Sequence, residues 1–161
     1  MENIKADKLR YQTNSIGYLL VMLSVVVSVI ALFTLITYDN YGTLAESMRV
    51  KPDFRIGIEI AIGIVLMLAT FLAAEKIKYY SETWGFYGLF VLAGINLVRI
   101  FNVPMVSYNN NMIPLRTYIT TVVVLAASAA LLIAAGIITI KKIIILKHHL
   151  KELEKNGEIT V

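Results

Sequence analysis

The 161-residue chain contains no cysteine, only two histidines and only 16% charged residues. Without thiols there are no disulfides, no thiolate-held metals and no cysteine nucleophile, and the redox compartment is left undetermined. The two histidines, His148 and His149, stand side by side near the C-terminus, so no long apolar run holds an axial ligand for haem. Adjacent positions on a helix diverge by about 100° and do not converge on one metal ion, so both read as solvated tail residues. A Walker-type loop, a nucleophile elbow and a paired-carboxylate arrangement are also missing. These absences point away from an enzyme and from any cofactor or metal. The charge content lies far below the roughly 25% of an ordinary soluble domain.

What is abundant is oil-like sequence: 58% of residues are hydrophobic and the mean hydropathy is +0.72. The apolar residues gather in long runs, the signature of segments that satisfy their backbone hydrogen bonds internally within lipid. Four spans are expected, at residues 15–38, 56–74, 84–101 and 118–140. At ~1.5 Å per residue even the shorter ones reach about 27 Å, close to the ~30 Å hydrocarbon layer. The first run exceeds the ~7–15-residue apolar core of a signal peptide and reads as a retained anchor. The third is the least apolar, since it holds Asn96, Arg99 and the glycines Gly85, Gly88 and Gly94, and it needs neighbouring helices to sit stably.

Basic residues set the expected orientation. Lys5, Lys8, Arg10, Lys76, Lys78, Lys141, Lys142, Lys147, Lys151 and Lys155 fall on one side of the spans. Arg49, Lys51, Arg55 and Arg116 fall on the other, together with Asp39, Glu46 and Asp53. The positive-inside rule therefore places both termini in the cytoplasm, and topology accounts for the net charge of +4 without invoking nucleic acid. Short connections predict an all-α membrane protein: one domain over residues 1–161, built as a four-helix antiparallel up-down bundle. Pro52 and Pro114 sit where the chain re-enters the membrane, a position that suits proline near a helix start. The resemblance between the two outer loops reads as coincidence rather than duplication. Past Ile140 an apolar stripe of Ile143, Leu146, Leu150 and Leu153 predicts that span four continues as an amphipathic cytoplasmic helix, residues 141–161, whose stripe requires a cover: lipid, an identical tail or a partner.

Only Glu59 and Arg99 are ionisable residues clearly inside spans, which makes them candidate binding residues. Counting turns from the same surface puts them at one depth and facing each other, with Asn96 a turn deeper beside Arg99. One reading is an ion pair that orients two helices; the other is a polar cavity for a cation, a proton or a small polar ligand. Arg55 and Arg116 begin spans two and four, where a cation opposes the helix dipole, and lipid phosphate or an anionic ligand would offset that cost. Ala126, Ala130 and Ala134 form a small-residue ridge, echoed by Ser24 with Ser28 and by Gly57 with Ala61, suited to helix packing within the bundle or against another subunit.

The segments Lys8 to Asn14 (KLRYQTN), Glu75 to Tyr80 (EKIKYY) and Arg99 to Pro104 (RIFNVP) resemble those of small uncharacterised four-helix membrane proteins of Gram-positive anaerobic bacteria. The resemblance implies a multi-pass protein of the bacterial plasma membrane and transfers no activity. Small multidrug transporters carry their working carboxylate in the first span, where this chain has none. The functional expectation is a non-enzymatic accessory or scaffold subunit of a membrane-protein complex, bound to another membrane subunit or to its own copies in the lipid bilayer. It rests on the few polar residues expected at mid-membrane and on the uncovered tail stripe. The alternative is a small oligomeric transporter or channel that uses Glu59 and Arg99.

Overall fold

Residues 12–41, 54–109 and 113–156 are described by a computed structural model. Among them all regular structure is helical: α1 (Ser15–Tyr41), α2 (Phe54–Lys78), a π-helical turn (Trp84–Gly88) running directly into α3 (Leu89–Asn109), and α4 (Leu115–Lys155). Four helices are long and apolar enough to cross a membrane, the third being the least apolar. Valine and isoleucine dominate α1 despite their modest intrinsic helix propensity. A lipid surrounding, in which every backbone group must find an internal partner, would override that preference.

Side chains and turns mark the ends. Asn14 caps α1, its Oδ1 accepting from the backbone N–H of Gly17 at 3.3 Å. After α2, the N–H of Ser81 donates to the carbonyl of Lys76 and that of Tyr80 to the carbonyl of Ile77, a Schellman closure. Its left-handed position is filled by Tyr80, at φ 57°, where glycine is the usual residue. Pro114, in extended conformation, immediately precedes α4.

One boundary differs from expectation. Span three does not end at Phe101: α3 runs through Asn102 and Pro104 as far as Asn109. Pro104 has no N–H to give to the turn before it, yet it is buried, and breaking the helix there would strand several more backbone groups. The C-terminal amphipathic stretch continues span four as one helix, as the sequence predicts. It is the last part of one uninterrupted 41-residue helix, about 60 Å long at ~1.5 Å per residue.

α4 packs closely against α1 and α3, α1 also packs against α2, and α2 and α3 meet sparsely. Contacts join the start of one helix to the end of the next. The backbone N–H of Asn14 donates to the carbonyl of Lys78 at 2.9 Å, and the Tyr108 and Tyr118 rings stack with centroids 4.8 Å apart. Close approach of α3 to α4 depends on missing side chains. A Cβ at Gly136 would stand 2.9 Å from the Phe90 ring, and one at Gly85 would stand 2.8 Å from Ile143. Val21, Ala73, Leu89, Ala93 and Leu132 form the packed apolar centre toward the Asn14 end. Large apolar residues such as Leu19, Val65, Phe101 and Val123 cover the outside, a surface compatible with a lipid surrounding.

The stripe beyond Ile140 is covered in part by the chain itself. Ile143 is buried against Gly85, Leu146, Leu150 and Leu153 are half-buried, and Lys147 pairs with Glu82 at 2.5 Å. His149, expected to be solvated, is only 7% exposed. It lies three residues after Leu146 and four before Leu153, and so shares their inward face. His148 is exposed and lies 3.3 Å from Glu152.

Candidate functional site

Glu59 lies in the second turn of α2 and Arg99 at the midpoint of α3. The two helices run in opposite senses, which brings these residues to one level, as turn counting from the sequence places them. Arg99 Nε donates to Glu59 Oε1 at 2.6 Å, and the residues are 6% and 1% exposed. Asn96, one turn earlier on α3, accepts from Arg99 Nη1 at 3.1 Å through its Oδ1. Its Nδ2 donates to Ser128 Oγ on α4 at 3.4 Å. Ser128 in turn lies 2.8 Å from Ser24 Oγ and 2.9 Å from Ser28 Oγ, both on α1. One connected polar chain thus touches all four helices.

The helix crossing explains the serine cluster. α1 and α4 come close enough for Ser24 Oγ to reach the carbonyl of Ser128 at 3.2 Å and for Ser128 Oγ to reach the carbonyl of Ser24 at 3.4 Å. A larger side chain at either position would hold the backbones apart. Arg99 has a similar requirement on α2. A Cβ at Gly63, one turn beyond Glu59, would stand 3.1 Å from Arg99 Nη2 and 2.5 Å from Leu32 Cδ2. The missing side chain is the space that the guanidinium occupies.

The pair is electrically balanced but incompletely bonded. Glu59 uses one carboxylate oxygen; Oε2 is buried and has no hydrogen-bond partner. Of Arg99's five N–H groups, those on Nε and Nη1 carry its bonds to Glu59 and Asn96, and Nη2 donates to no described residue. A single-point ion pair of this kind leaves Glu59 Oε2 unspent within the bundle, where an unmet polar group costs several kcal/mol.

A second polar junction closes the opposite end. Asn14, fully buried, donates from Nδ2 to Thr139 Oγ1 at 2.9 Å and accepts at Oδ1 from Lys142 Nζ at 3.0 Å. Together with the backbone bond to Lys78 it ties the start of α1, the end of α2 and α4 into one knot. Lys78 Nζ also lies 5.3 Å from the centre of the Tyr18 ring, a cation–π contact. Between the junction and the serine cluster lies the packed apolar centre, with Val21, Leu92 and Leu132 among its buried side chains.

The other candidates take no part in the network. Arg116 is exposed in the first turn of α4, and the side chain of Arg55 lies outside the described residues, as does Pro52. On α4 the face that packs inward carries Thr121, Leu125, Ser128, Leu132, Ala135 and Thr139. Ala130 is exposed, and Ala126 and Ala134 are half-buried, so that ridge lies beside the packed face rather than at its centre. Among the described residues no three His, Cys, Asp or Glu side chains gather as a metal site would need.

The sequence does not mark Ser128, Asn14, Thr139 or Lys142 as site residues, and it presents Ser24 and Ser28 as small residues that permit close helix packing. The available signal was hydroxyl residues at four-residue spacing within an apolar run. Comparison with protein-family models, curated proteins and solved structures gives no match.

Proposed function

We propose that this chain is a multi-pass protein of the bacterial plasma membrane, an antiparallel up-down bundle with both termini cytoplasmic, that binds and passes a small polar solute at the Glu59–Arg99 pair. Four membrane-length helices and ten basic residues gathered on one side support the topology. One observation carries the functional reading: the hydrogen-bonded chain from Glu59 through Arg99, Asn96 and Ser128 to Ser24 and Ser28. Polar and ionisable groups inside a membrane bundle are costly, and they characteristically line solute routes.

In this topology the chain begins in the outer part of the bundle and reaches its middle, where the serines stand on the central turns of α1 and α4. Inward of them, Val21, Leu92 and Leu132 close the bundle with apolar side chains. The arrangement suits a site open to one side at a time, with an apolar constriction as the gate. α2 and α3, which meet sparsely, are the helices with least packing to lose in opening. Reconstituted vesicles test the reading: Glu59→Gln should change the solute permeability of the vesicles severalfold while the protein remains folded by gel filtration in detergent. Unchanged flux would remove Glu59 from the route.

The accessory-subunit reading retains one observation of its own. Ala130 faces outward with Ala126 and Ala134 at its sides, a small-residue ridge on which another transmembrane helix could pack. Its original premises carry less weight, since the middle of the bundle holds a polar chain and Ile143 is covered within the molecule. Crosslinking from a cysteine introduced at position 130 in native membranes separates the two: a heterologous partner supports the accessory role, and a lone monomer removes it.

A further inference from the structure

The bonding of the pair restricts what the site can accept. Glu59 and Arg99 carry opposite unit charges, joined at 2.6 Å and nearly shut off from solvent. Glu59 Oε2 is a buried acceptor without a donor, and Arg99 Nη2, beside Gly63, is a donor without a described acceptor. Every further group along the chain, Asn96 and the three serines, is neutral and both donates and accepts. A monovalent cation seated on Glu59 Oε2 would stand within a few ångströms of the Arg99 charge, and an anion on Nη2 would stand equally near Glu59. In a poorly screened interior either is repelled strongly by its like neighbour. A neutral molecule meets no such repulsion, and one that both donates and accepts satisfies the two leftover groups together.

The geometry points to a site selective for small neutral hydrogen-bonding solutes, amides or polyols, with the internal ion pair acting as the filter that turns away ions of either sign. This rests on the solute-passing reading given above and names its substrate class. Here the carboxylate and guanidinium are each other's counter-ion. The selectivity follows from their balance rather than from either charge alone.

Stopped-flow light scattering on proteoliposomes, with urea and glycerol as neutral probes and potassium and chloride fluxes measured in parallel, tests the assignment. The wild-type protein should raise urea or glycerol permeability severalfold over protein-free vesicles and leave both ion fluxes at background. Arg99→Gln, which leaves Glu59 uncompensated, should acquire a potassium flux, and Glu59→Gln should acquire a chloride flux. The double variant Glu59→Gln/Arg99→Gln, neutral again, should return to background for both ions. A purely structural pair would produce no such exchange of ion preference. Wild-type vesicles that pass potassium or chloride in a Glu59-dependent manner would overturn the neutral filter and leave the transport reading standing. Folded single variants that stay tight to ions would also overturn it. Wild-type vesicles that pass neither solutes nor ions would overturn both readings, and the wild-type comparison does not depend on any variant folding.

Discussion

Replacing Glu59 with leucine would leave the Arg99 guanidinium buried, with Asn96 Oδ1 as its one remaining acceptor among the described residues. Both partners are almost wholly buried, so little solvent screening softens the loss. Breaking a buried pair from one side costs about 3–5 kcal/mol. Polar contacts in membrane proteins tend to measure smaller, because the unfolded chain in lipid also finds partners. A loss near 3 kcal/mol is therefore expected for Glu59→Leu. Replacing both residues, Glu59→Leu with Arg99→Met, removes the uncompensated charge and leaves only Asn96 Oδ1 without its donor, a cost of about 1 kcal/mol. The double variant should thus be more stable than the single one by roughly 2 kcal/mol, a non-additivity typical of residues in direct contact. Reversible unfolding in mixed micelles, titrated with a denaturing detergent, measures all four proteins of the cycle. A single-variant loss below about 1 kcal/mol, or strictly additive losses, would refute the buried-pair energetics on this scale.

Further expectations follow from packing and turn geometry. Gly136→Val would drive side-chain atoms into the Phe90 ring, already 2.9 Å from an ideal Cβ, and should cost about 1–3 kcal/mol; adding Phe90→Ala should recover part of the loss in the same unfolding assay. Tyr80 sits at φ 57°, so Tyr80→Gly should be more stable than Tyr80→Ala by about 1 kcal/mol, the penalty of a Cβ in the left-handed region. Burial raises the Tyr80 phenol above its ordinary value of 10.0. The folded state therefore favours the neutral form, and its stability is intact below pH 10 and falls as the pH rises through the higher folded value. Tyr80→Phe should remove that alkaline component in unfolding curves compared between pH 8 and roughly 11. Lys147→Ala breaks a half-exposed pair with Glu82 and should cost less than about 1 kcal/mol, a loss that shrinks with added salt.

The four spans and the Glu59–Arg99 level follow from the amino-acid sequence because each depends on local quantities. Apolar length against bilayer thickness decides a span, and counting turns from a common surface decides depth. The helical course of the tail was legible for the same reason, from the spacing of Ile143, Leu146, Leu150 and Leu153. The end of span three at Phe101 is not legible in this way, because α3 carries Pro104 within it, where breaking the helix would leave further backbone groups unmet.

What only the tertiary structure decided is rotation and partnership. A serine's hydroxyl bonds whichever neighbour its helix turns toward, so Ser128 emerges as a hub only once α1, α3 and α4 are packed. Ala130 leaves the packed face for the same reason. The sparse α2–α3 contact, the single-point bond of Arg99 and the unspent oxygen of Glu59 arise from side chains 40 positions apart in the sequence, roughly 130–145 Å of extended chain, brought together in a bundle whose helices approach closely at Gly63, Gly85 and Gly136. Composition and periodicity say that such helices meet a neighbour; they do not say which atoms remain unpaired when they do.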